Sequence, residues 1–134
     1  MHRTYRAWFT AAAIYNLLWG AVVSIFPDLP FRLLNLPPSN YPVLWQAIGM
    51  MVMVYAPGYY FIARDPERYA VFVWIGLLGK LLGPLGFLVS AMLGVLPWRF
   101  GLLNLTNDVI WLPVFLLFAF RYAVQPLREL VQES

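Results

Sequence analysis

Lys80 and Asp108 are the residues best suited to do chemistry, because each is a lone ionisable group inside a long apolar stretch. Lys80 is the only lysine in the chain, and Asp108 is the only carboxylate inside a candidate membrane span. Along a helix, Lys80 lies roughly 18 Å from Arg68 at about 1.5 Å per residue. That is too deep for its stem to carry the ammonium back to a polar surface. Left bare there, the charge would cost about 2.5–3.5 kcal/mol or more. Asp108 approaches from the opposite direction, at a depth differing by about 5–10 Å on the same rise. A lysine side chain and an aspartate, or one bridging water, can close that gap. The expectation is a buried pair, Lys80–Asp108, ringed by the amides Asn16, Gln46, Asn104 and Asn107.

Such a pair has two readings. Buried ionic networks can simply fix how helices pack, whereas ionisable groups within a membrane mark ligand sites by default. A lone carboxylate and a lone lysine are capable of proton transfer or Schiff-base formation. No nucleophile–base pair accompanies them, nor the relay of acids or histidines that proton-coupled transporters carry. The two halves of the chain are not repeats of the transporter kind either. Cysteine is absent and the one histidine is His2, so disulfides, thiol redox chemistry and imidazole-held metals fall away. Met50 and Met53 are soft donors at i, i+3, but methionine on a helix face reads as packing rather than as a copper site. No metal or other cofactor is called for.

The elements that must position these groups follow from composition. Of the 134 residues, 62% are hydrophobic and 11% charged, and the mean hydropathy is +0.70. A soluble domain carries about 25% charge, so this chain cannot cover a water-facing surface and its solvent must be largely lipid. The net charge of +3 is spread over span ends with no basic run or face, which argues against a nucleic-acid partner. Four apolar stretches, about 7–26, 43–63, 69–96 and 100–123, are long enough to cross a bilayer, which requires roughly 20 helical residues. The first is too long, and lacks the cleavage site, for a signal peptide. The fold expected is all-α: one domain over 1–134, an integral membrane four-helix bundle.

Connections between the spans are short. Asp65 and Pro66 read as N-cap and first residue of span three, which makes spans two and three a tight antiparallel hairpin. Between spans one and two, 28–36 carries a cap, a proline and apolar Leu29, Phe31, Leu33, Leu34 and Leu36, the composition of a short helix lying in the membrane interface. A final amphipathic turn or two is expected after Pro126. Arg3, Arg6, Arg64, Arg68, Arg121 and Arg128 fall on one side, against Arg32 and Arg99 on the other. The positive-inside rule then puts both termini in the cytoplasm.

At 100° per residue, the polar residues of each span share a face. Span one aligns Ala12, Asn16, Trp19, Gly20 and Val23. Span two aligns Gln46, Gly49, Met50, Met53, Pro57 and Tyr60, and span four aligns Asn104, Asn107, Asp108, Trp111, Phe115 and Phe118. Span three bears a stripe of Gly76, Gly79, Gly83, Gly86, Ser90 and Gly94, spacing that lets another helix come close. Pro84, four residues after Lys80, is expected to kink span three and free the Lys80 carbonyl.

The segments Tyr15-Asn16-Leu17-Leu18-Trp19-Gly20, Tyr41-Pro42-Val43-Leu44-Trp45-Gln46, Gly76-Leu77-Leu78-Gly79-Lys80, Gly83-Pro84-Leu85-Gly86-Phe87 and Leu96-Pro97-Trp98-Arg99-Phe100-Gly101, followed by Asn107-Asp108, resemble a group of short bacterial four-span membrane proteins. The likeness covers nearly the whole chain. It implies the fold and a place in the bacterial inner membrane but no reaction, since the group has no established activity. Similar sequences sometimes carry a hydroperoxide-reductase label, which cannot hold where no cysteine exists to attack a peroxide. In size and architecture the chain is also loosely similar to membrane proteins of the DoxX kind.

Three functions remain open. The leading one is a non-enzymatic accessory or assembly subunit of a larger membrane complex, or a homo-oligomer, favoured by small size, the glycine face and the missing catalytic set. A second is a binding protein holding a small anionic or lipophilic ligand near Lys80 and Asp108. Third is a membrane enzyme acting on a lipid-soluble substrate, with Asp108 as acid/base.

Overall fold

The computed structural model describes residues 2–134, and every regular element among them is helical. Helix α1 (His2–Ile25) leads into the short α2 (Leu29–Leu33), then α3 (Pro42–Arg64) and α4 (Phe72–Met92). The last stretch is segmented into α5 (Gly101–Asn107), α6 (Leu112–Phe118) and α7 (Val124–Glu133), joined by 3₁₀ and π turns. Three helical runs are long and apolar enough to cross a membrane: α1, α4 and the segmented run Trp98–Glu133. Helix α3 has the length, at 23 residues. Its tyrosines, Gln46, Pro57 and two glycines dilute its hydropathy, however. Large apolar side chains cover the outside, among them Leu18, Val54, Leu82 and Leu117, as expected where the surroundings are lipid.

Helices α1 and α3 are the most closely packed pair. Gly20 and Gly49 face each other there, so that a Cβ on Gly49 would lie 2.7 Å from the Gly20 carbonyl oxygen. Polar bonds brace the crossing: Asn16 Nδ2 donates to Val52 O at 3.2 Å, and Gln46 Nε2 donates to Ser24 O at 3.0 Å. At one end of the molecule an aromatic core joins Phe9 to Phe115 and Phe118, with ring centroids 4.7 and 4.8 Å apart. His2, Glu67 and Tyr122 meet at that same end. At the opposite end Phe31, Trp45, Phe87 and Phe100 form a second aromatic cluster, with Phe31 and Trp45 5.0 Å apart and Trp45 and Phe100 5.5 Å apart.

Several boundaries differ from those the sequence suggests, each for a local reason. Asp65 does act as a cap, its Oδ1 accepting from Arg68 N at 3.2 Å. It caps only a run of turns, and α4 itself starts at Phe72. Helix α4 ends at Met92, short of Leu96, because Gly94 adopts φ +73°. Its N–H bonds Ala91 O at 3.0 Å, and Val95 N–H bonds Ser90 O at 2.8 Å. These paired bonds are the glycine-terminated helix end known as the Schellman motif. Gly94 and Ser90 therefore belong to a helix terminus and not to a packing stripe. The 28–36 segment contains α2, stopped by Asn35 at φ 53°. Helix α7 begins at Val124, before Pro126, and continues to Glu133, about two turns beyond the proline.

The largest departure is in the last span. Its helix breaks at Asp108, where φ is −126° and ψ −58°, and a π turn follows at Ala119–Ala123. Trp74 Nε1 donates to Ala123 O at 3.0 Å, tying α4 to the end of that turn. Pro113 sits at the start of α6, where its missing N–H costs nothing.

Candidate functional site

The break at Asp108 makes the site. Unwinding a helix frees carbonyls, and in an apolar setting each needs a donor. Lys80, only 4% exposed, supplies one by donating from Nζ to Asn107 O at 2.7 Å. Trp111 Nε1 supplies another, donating to Thr106 O at 3.0 Å. Lys80 Nζ also lies 4.0 Å from Asp108 Oδ1. Around the ammonium stand the rings of Tyr59, Trp111 and Phe115, with centroids 5.7, 5.8 and 5.5 Å away. Their negative faces favour a cation at that range. The lysine thus does for the broken helix what a bound cation would do.

Beside this centre lies a cavity of about 400 Å³, reached by side chains from α1, α3, α4 and α5. Lys80, Asp108, Asn16, Asn104 and Asn107 all line it. Tyr15 hydroxyl donates to Asn107 Oδ1, which fixes that amide beside the break. The aromatic cluster of Trp45 and Phe100 closes one end, and Tyr59 borders the other. Met51 of α3, 64% exposed, and exposed Gly83 of α4 also line it. The cavity therefore reaches the outer surface between these two helices.

Of the expected polar centre, the structure gathers Lys80, Asp108, Asn16, Asn104 and Asn107, and leaves out Gln46. That amide turns to Ser24 O in the α1–α3 crossing instead. The glycines of α4 divide by depth. Gly76 makes room for the Tyr59 ring and Gly79 for the Tyr55 hydroxyl, where added Cβ atoms would lie 2.7 and 2.9 Å from them. Gly83 accommodates Asp108, and Gly86 has nothing within 4 Å. Within this chain the stripe seats side chains rather than a second backbone.

Comparison with protein-family models, curated proteins and solved structures finds no match. What the site can do is decided by its own residues.

Tyr55 and Tyr59 are the contributors that the helical-face pattern misses. The inward face of α3 carries Gly49, which the expected face included, together with Ala56, Tyr59 and Ala63. Its centre lies about a quarter turn from that of the expected face through Gln46, Met50, Met53 and Tyr60, at 100° per residue. Met50 and Tyr60 are 56% and 50% exposed. Hairpin symmetry holds the missing signal. A turn centred near Glu67 pairs Tyr59 with Gly76 and Tyr55 with Gly79, and those are the observed contacts.

Proposed function

We propose that this chain is a four-span bacterial inner-membrane protein that binds a small lipophilic molecule at the Lys80–Asp108 centre. The cavity beside that centre is the observation that carries the reading. Its size falls in the range of small-molecule sites, about 300–1,000 Å³, with apolar walls and a few convergent polar groups. Broken helices at membrane depth are tolerated where they line such a cavity. A subunit that only braces a larger complex needs no cavity at its ionic centre, so the ligand reading is favoured over the accessory one. Support for α3 as the fourth span comes from its length, about 34 Å at 1.5 Å per residue, and from exposed apolar Ile48, Met51, Val54 and Phe61. Helix α2 would then lie in the interface on the side away from the termini, with exposed Leu33 toward the acyl chains.

Two measurements check this. Lipid extracts of protein purified in mild detergent are expected to contain one small lipophile near equimolar with the chain. Leu103→Trp, which fills the cavity, is expected to lose it while keeping its helix content. Equal amounts from both proteins, or none from the wild type, would remove the ligand reading. For topology, a cytoplasm-active reporter fused after Ser134 is expected to give signal, and one inserted within 37–41 none. The reverse pattern would invert the orientation.

A further inference from the structure

We infer that the molecule taken at this centre is a neutral lipid bearing a free hydroxyl, an isoprenoid or acyl alcohol, whose oxygen sits between Lys80 Nζ and Asp108 Oδ1. This rests on the ligand reading above and names the head group. Lys80 spends one of its three N–H groups on Asn107 O. The 4.0 Å between Nζ and Oδ1 is beyond direct hydrogen bonding. Among the described residues no donor bonds the Asp108 carboxylate. Tyr59, 3% exposed, also borders the cavity.

An oxygen about 2.8 Å from both Nζ and Oδ1 would close a triangle with an apex angle near 90°. That oxygen must accept from an ammonium and donate to a carboxylate at once, which a hydroxyl does. An ether, aldehyde or quinone oxygen only accepts, and would turn a lone pair toward Asp108. A carboxylate head would meet Asp108 as a like charge, and an amine would meet Lys80 in the same way; like charges at this separation in a poorly solvated site repel strongly. The centre offers one positive and one negative group, so a neutral head is the complement. Behind it, Trp19, Trp45, Ile48, Met51 and Leu103 supply apolar walls, and the gap beside Met51 and Gly83 lets a chain continue into lipid.

The test uses the full chain in lipid nanodiscs and a long-chain alcohol with a diazirine in its tail, against the methyl ether of the same probe. Hydrogen bonds to charged groups predict at least about tenfold more light-dependent labelling of cavity peptides by the alcohol. Decanol is expected to compete, while decanoate, decylamine and methyl decyl ether at the same concentration are not. Saturable labelling that is equal for alcohol and ether, or competition by decanoate or decylamine as strong as by decanol, would overturn the hydroxyl assignment and leave the lipophile site standing. No saturable labelling by either probe would remove the site and the assignment together.

Discussion

Lys80→Met is expected to destabilise the protein in detergent by about 3 kcal/mol, the lower end for one-sided removal of a buried ion-pair partner. The substitution leaves Asp108 without a counter-charge and Asn107 O without its donor, both beside an aromatic wall. Asp108→Asn should cost less. The carboxylate is 19% exposed and stands 4.0 Å from Nζ, while the lysine keeps its bond to the Asn107 carbonyl. In the double mutant the charges are gone but Asn107 O still lacks a donor, so recovery is expected to be partial. Polar couplings measured inside membranes average about 0.6 kcal/mol and reach about 1.7; the coupling here should fall between these. Denaturation midpoints of the four proteins in one detergent give it directly. Strictly additive losses would mean that the two side chains do not act on each other and that Lys80 serves the broken helix alone.

Gly49→Leu is expected to have an effect of similar size by another route. A Cβ at this position would lie 2.7 Å from Gly20 O and 2.8 Å from Ser24 N, both backbone atoms of α1. Helix backbone cannot step aside as a side-chain tip can, so α1 and α3 must separate. That separation stretches the Asn16–Val52 and Gln46–Ser24 bonds, which are 3.2 and 3.0 Å long. Overpacking costs about 1–3 kcal/mol and occasionally more, and the upper end applies here. Gly86→Leu is the matched control. Its Cβ meets nothing within 4 Å, and a change within about 0.5 kcal/mol is expected of an open surface position. Thermal unfolding of both variants decides the matter. Equal losses would place an essential helix contact on the open flank of α4 instead.

The amino-acid sequence by itself determined the class of the molecule and singled out the residues at its centre. Charge is too scarce for a water-facing surface, which makes the outer faces apolar, and apolar runs of about 20 residues fit membrane helices rather than the roughly 10-residue alternating strands of a barrel. A lone lysine and a lone aspartate in apolar runs stand out because isolating either charge is so costly. The inward face of α1, with Ala12, Asn16, Gly20 and Val23 buried, follows from local periodicity. The tertiary structure decided what depends on residues far apart in the chain. Only α4 carries a glycine stripe, yet the glycine that meets a second backbone is Gly49 of α3, against α1, whereas the stripe seats tyrosine rings and Asp108. Gln46 had two polar destinations, and the closeness of α1 gave it Ser24 O. The break at Asp108 is also non-local in origin. A helix in an apolar setting can open only where something else bonds the freed carbonyls; for Asn107 that donor is Lys80, 27 positions earlier in the chain.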